Sequence, residues 1–106
     1  MNRKRVCYLV KIKEEMKPTY IKRHDEIPKE LERLYKENGI VQISCMINGD
    51  FLIIFQEFDM DVYEKGQHVI NDSDVSKAFQ KSLLGIDADV QIIDKDSAFE
   101  EVYRLE

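Results

Sequence analysis

The dipeptide Asn48-Gly49 stands between two β-branched and aromatic runs, Ile40 to Ile47 and Phe51 to Phe58. No other feature constrains the chain as strongly. Asn-Gly is preferred in two-residue type I′ turns because both central residues there need positive φ, so the two runs should form a hairpin. The turn also sets a register. Met46 is expected opposite Phe51, Ser44 opposite Ile53 and Gln42 opposite Phe55 on one side, with Cys45 opposite Leu52 and Ile43 opposite Ile54 on the other. Large apolar groups fall on both sides, so each face of the sheet needs a cover.

The other elements follow from periodicity and punctuation. Val6 to Ile12 alternates Val6, Tyr8, Val10 and Ile12 with Cys7, Leu9 and Lys11, a period-2 strand. Pro18 as a first-turn residue and Asn38-Gly39 as a stop bracket one long first helix. Asp59 and then Asp72 or Ser73 are N-cap residues for two shorter helices, the second ending near Gly85. A looser stretch, Ile86 to Ala98, precedes a short last strand around Val102 to Leu105. Strand, helix, strand, strand, helix, strand is the ferredoxin-like βαββαβ order, an α+β sandwich formed by a single domain over residues 1–106. Helices can cover only one face of such a sheet, and pairing of two sheets in a homodimer is the economical cover for the second.

Charge narrows the partners. With 16 Lys+Arg against 21 Asp+Glu the formal net charge is −5, and the only basic run is Arg3-Lys4-Arg5, which argues against nucleic acid. No apolar run approaches the roughly 20 residues that a bilayer needs, and no apolar signal core follows the N-terminal charges, so a cytoplasmic protein without membrane attachment is expected. Cys7 and Cys45 sit in strand-like runs without a CxxC pair or a histidine at ligand spacing, which reads as two reduced core cysteines and no metal site.

The chemistry concentrates on the first helix. Tyr20, His24, Ile27, Leu31 and Leu34 step along one stripe at helical spacing, so His24 occupies an otherwise apolar face. Pro28 has no N–H to offer the His24 carbonyl, and a kink or an unpaired carbonyl is expected there. Two readings fit. His24 can be a hydrogen-bonded core histidine with Tyr20 as a core aromatic, or the two can wall a pocket between helix and sheet. In the second case histidine is the side chain suited to proton transfer near neutral pH, and a tyrosine one turn away can position a substrate oxygen. His68 lies in a polar stretch and is given no role, while Glu57 suits a paired charge at a dimer seam better than a catalytic carboxylate.

The segment Tyr20 to Leu31, YIKRHDEIPKEL, resembles the L-rhamnose mutarotase family, whose members carry Tyr-x-x-Arg-His followed by an acidic-Leu pair on the first helix. The likeness extends through the opening RKRVCYLVKI, the Gly39 restart, FQEF at the end of the hairpin, Asp74-Val75 and the closing EEVYRLE. The resemblance implies a dimeric α/β barrel of ferredoxin-like subunits. It further implies interconversion of the α and β anomers of a 6-deoxyhexose such as L-rhamnose, without cofactor or metal. It assigns the acid/base role to His24 and an assisting role to Tyr20. The substrate-binding positions it implies are Ile43, where the family usually has a strand tyrosine, and Phe79 and Gln80, where it usually has a tryptophan pair. Another usual tryptophan is Pro28 here, and the chain contains none at all. Aromatic rings pack on the C–H faces of sugars, so Phe79 is a smaller platform, and Ile43 removes a hydroxyl that would orient the pyranose. Dimeric α/β barrels also host cofactor-free monooxygenases and haem-handling enzymes, and the same pocket would serve a small-ligand sensor that binds without turnover.

Overall fold

The computed structural model describes residues 2–87, 91–92 and 99–105, and side chains for 2–83 and 99–105. Its elements are β1 (Arg3–Lys11), α1 (Lys17–Asp25), α2 (Lys29–Glu37), β2 (Ile40–Asn48), β3 (Phe51–Asp59), α3 (Met60–Asp72), α4 (Asp74–Asp87) and β4 (Gln91–Ile92), with a short 3-10 turn at Glu14–Met16. The strands form one antiparallel sheet in the order β2-β3-β1-β4. This is the ferredoxin-like arrangement that the alternation of elements leads one to expect. Among the described residues no helix is long and apolar enough to cross a membrane.

Three local expectations change. The first helix is two helices, because Pro28 adopts φ −59° and ψ 133° and so separates α1 from α2 rather than kinking one rod. The His24 carbonyl is not left unpaired: it accepts from the Ile27 N–H at 3.3 Å, while the Pro28 carbonyl starts α2 by accepting from Leu31 and Glu32 at 3.0 and 3.2 Å. The hairpin register also differs. Asn48 pairs with Phe51, leaving Gly49, at φ 62°, and Asp50 as the loop, so that Met46 faces Ile53, Cys45 faces Ile54 and Ile43 faces Gln56. A glycine leading the loop supplies positive φ where such turns need it. The tip is also held from β1, whose Lys11 pairs with Phe51 and whose neighbour Ile12 donates its N–H to the Asp50 carbonyl at 2.8 Å. The shift is by an even number of residues, so side chains from Gln42 to Asn48 keep the face expected for them, while a bulge between Ile40 and Gln42 pairs Ile40 with Phe58 and turns it to the face of Leu52 and Ile54.

The third change is the closing strand. Residues Val102 to Leu105 form no strand, and Val102 and Leu105 are 87% and 83% exposed. The edge of β1 is met earlier in the chain, at Val10 and Lys11 by β4 and at Cys7 by the Phe99 N–H, 2.9 Å from its carbonyl. Most of the looser stretch Ile86 to Ala98 lies outside the described residues.

The helix stops and starts behave as their chemistry directs. Asn38-Gly39 ends α2 with Gly39 at φ 94°, Asp59 caps α3 by accepting from the Asp61 N–H, and the Ser73 hydroxyl accepts from the Ser76 N–H to start α4. The helices pack on one face of the sheet. There Val10 and Leu52, a cross-strand pair, join Ile12, Tyr20, Leu31, Phe79 and Leu83 in the core. Removing a Leu or Ile side chain from water contributes about 1.5–3 kcal/mol each, so Ile12, Leu31 and Leu52, all essentially unexposed, anchor this layer. The opposite face carries half-buried Cys7, Leu9, Ile53 and Phe55 with exposed Met46 and Phe51. At its margin Glu57 pairs with both Arg3 and Arg5, and Arg5 also reaches Glu101 at 3.6 Å.

Candidate active site

Between α1, α2, α4 and the helix-covered face of the sheet lies a cavity of about 680 Å³. That is within the range of about 300–1,000 Å³ usual for small-molecule sites. The five positions singled out from the sequence, Tyr20, His24, Ile43, Phe79 and Gln80, all line it. Residues separated by tens of positions meet because the strand parity of β2 and β3 and the stripes of α1 and α4 converge on one layer.

α1 brings Tyr20 and His24 together one turn apart, their ring centroids 4.2 Å from each other and tilted by 33°. From α4, Phe79 meets the imidazole edge-on, with centroids 5.7 Å apart and an interplanar angle of 81°. His24 Nδ1 lies 2.9 Å from the Tyr20 carbonyl oxygen. A carbonyl can only accept, so Nδ1 is the protonated nitrogen and Nε2 carries the lone pair of the neutral ring. No residue among those described bonds to Nε2. The imidazole is thus fixed in tautomer by its own helix, fixed in orientation by two rings, and left with one basic nitrogen for the cavity.

The surroundings are unequal in polarity. The sheet contributes mainly hydrocarbon from Ile43, Cys45, Leu52 and Ile54, with Gln42 and Gln56 as its polar members, and exposed Glu32, Lys36 and Gln80 stand at the rim. Phe79 is 9% exposed and its ring is largely used against His24 and the core, so it offers a sugar less open aromatic surface than its position on the helix suggests. Ile43 is 39% exposed and presents only hydrocarbon.

The polar lining residues that the sequence did not single out are half-buried Tyr35 and Gln56 and exposed Glu32, Lys36 and Gln42. Tyr35 follows Leu31 by four residues, and that spacing was the available signal. Burial raises its phenol above the ordinary value of 10.0. Gln56 alternates with Leu52 and Ile54 on β3 and so shares their face, which the parity of the hairpin already contained. His68 is exposed outside the cavity, and Glu57 sits on the opposite face of the sheet in its ion pairs with Arg3 and Arg5.

Comparison with known proteins adds a family. The model of the L-rhamnose mutarotase family matches residues 5–105. No curated protein matches the chain. Among solved structures, an L-rhamnose mutarotase from Formosa agariphila is similar at 24% identity and a TM-score of 0.63, covering 97% of this chain and 99% of that one. Tetracenomycin F2 cyclase from Streptomyces glaucescens, a type-II polyketide cyclase, is similar at 15% identity and a TM-score of 0.62, covering 97% of each chain. A conserved protein from Methanosarcina mazei follows at 19% identity and a TM-score of 0.56, covering 100% of this chain and 95% of that one. Such likenesses establish the fold, which evidently carries more than one chemistry.

Proposed function

The chain belongs to the L-rhamnose mutarotase family, enzymes that interconvert sugar anomers, and from that premise we propose that it exchanges the α and β forms of a 6-deoxyhexose such as L-rhamnose, with His24 moving the proton. The observation that carries the reading is the pinned imidazole: Nδ1 is committed to the Tyr20 carbonyl inside a cavity of sugar-binding size, and Nε2 is available.

The proposed chemistry balances with one shuttling group. Nε2 takes the proton of the anomeric hydroxyl, the C1–O5 bond breaks with its electron pair leaving on O5, and the imidazolium gives the proton to that oxygen. The product is the open-chain aldehyde. After rotation about C1–C2 the steps run in reverse on the opposite face of the carbonyl, and His24 returns to its neutral form. Tyr20 holds an oxygen of the sugar and packs on the imidazole to keep it aimed. No electron or group is transferred in net, so His24 can act as base and acid in turn within one cycle. The site position at Ile43 lacks a polar group, and the reading therefore includes weak saturation by L-rhamnose.

Saturation-transfer NMR on a panel of 6-deoxyhexoses tests this directly. Exchange between anomer signals accelerated in proportion to protein concentration is the expected result, and sugar binding without acceleration would instead favour a sensor. The assembly belongs to the same proposal. The apolar residues on the sheet face away from the helices, Met46 and Phe51 exposed among them, support a homodimer paired sheet to sheet, and light scattering at micromolar concentration should return twice the chain mass, whereas a folded monomer would remove that part.

A further inference from the structure

On the helix-covered side of the hairpin, edge strand β2 presents Ile43 and Cys45 to the cavity and central strand β3 presents Leu52, Ile54 and Gln56. Gln56 is the polar exception on that side, since Gln42, which also lines the cavity, pairs with Glu57 and alternates with Ile43. Its register partners are Ile43 on β2 and Val6 on β1, so its carboxamide rises from apolar surroundings on both sides. It is half-buried, and the carboxamide makes no hydrogen bond with any described residue. The amide is not sealed in the interior, so its donor and acceptor are open to hydrogen-bond with what occupies the cavity that holds His24 and Tyr20.

We propose that Gln56 is a specificity-determining residue of this site, hydrogen-bonding one hydroxyl of the sugar ring with its carboxamide. The inference rests on the mutarotase reading and adds to it a residue and a chemical preference. An amide offers a donor and an acceptor side by side, which suits a hydroxyl that both gives and takes a proton. Directly paired residues on neighbouring antiparallel strands hold their Cβ atoms about 4.5–5.5 Å apart. Gln56 therefore places a polar group one strand away from Ile43, whose side chain presents only hydrocarbon to the cavity. A contact made from β3 addresses the ring from one fixed direction and so selects its own pattern of hydroxyls.

The test compares the wild type with Gln56→Met, which keeps an unbranched side chain of similar length and loses the amide. Anomer exchange is measured by saturation-transfer NMR on whichever of L-rhamnose and L-fucose the wild type exchanges faster, and on its 2-, 3- and 4-deoxy analogues. For the parent sugar the expected result is a KM raised by about tenfold, with kcat within about twofold, as the loss of one hydrogen bond made equally in ground and transition states predicts. For one deoxy analogue the two proteins should share the same KM, and that analogue identifies the contacted hydroxyl. An unchanged KM for every sugar overturns the inference, as does a KM raised equally for the parent and all three analogues, which would mark a structural role. If the wild type accelerates exchange of neither sugar, the mutarotase reading fails and the assignment of Gln56 falls with it.

Discussion

α1 and α2 have nine residues each and are separated by the same proline, yet they are built for different work. α2 sorts its side chains cleanly. Leu31 is fully buried, Leu34 and Tyr35 are half-buried on the same side, and the remaining positions are charged and exposed. Glu30 and Glu32 in its first turn and Lys36 in its last complement the helix dipole. α1 buries only Tyr20 and leaves Ile21 49% exposed, and its inward side is completed by an imidazole. One helix is held by the hydrophobic effect, and the other holds an imidazole against the core that its neighbour anchors. A titratable side chain on a strongly packed stripe would be either desolvated or displaced. Breaking the helix at Pro28 lets the two requirements be met by separate segments.

This division predicts separable losses. The largest is for His24→Asn, which keeps polarity and approximate size: anomer exchange should fall by about 10²–10⁴-fold, with a melting temperature close to that of the wild type. Early melting combined with wild-type exchange by the folded fraction would make His24 a core histidine and α1 a second anchoring helix. Next comes Leu31→Ala, where deletion of a fully buried side chain should cost about 2–5 kcal/mol, read by urea denaturation. Exchange per folded molecule should be nearly unchanged. Equal damage to activity from both variants would abolish the contrast between the helices.

The two tyrosines sharpen it at smaller scale. Tyr20→Phe preserves the ring against His24 and removes only the hydroxyl, so a loss of about tenfold or less in exchange is expected, the worth of one hydrogen bond. Tyr35→Phe should act on stability alone and only in alkali. Burial raises the Tyr35 phenol in the folded state, so the folded protein keeps that proton when the unfolded chain has begun to lose it. Stability from this group is fully present below the unfolded value near 10 and declines as pH rises toward the folded one. Denaturation midpoints followed from pH 8 to 11 should fall more steeply for the wild type than for Tyr35→Phe, and identical slopes would show that Tyr35 ionises freely.

The turn chemistry and the spacing of apolar residues made most of the fold legible. Gly39, Asp59 and Ser73 end or begin helices as their local hydrogen bonding demands, and these are interactions within a few residues of chain. Tyr20 and His24 were visible together for the same reason, since helical spacing alone brings them into contact. Tyr35 and Gln56 were not singled out, because nothing local distinguishes a half-buried polar side chain at a cavity from one in solvent. That distinction depends on which remote elements lie opposite.

By itself, then, the sequence determined the order of strands and helical regions, the face on which strand residues fall outside the bulge between Ile40 and Gln42, and the pairing of tyrosine with histidine, all of which follow from fixed backbone periods of two and about 3.6 residues. Tertiary structure decided the rest. A third strand reaching the hairpin tip selected Gly49-Asp50 as the loop, and the segment containing β4 and Phe99 met the edge of β1 where a later strand was expected. Packing of α4 over the sheet brought Phe79 against His24 and closed a cavity around Gln56. These outcomes are competitions between distant segments for the same edge, the same turn or the same volume. Local periodicity ranks no winner among them, because the deciding free energy is released only when the segments pack together.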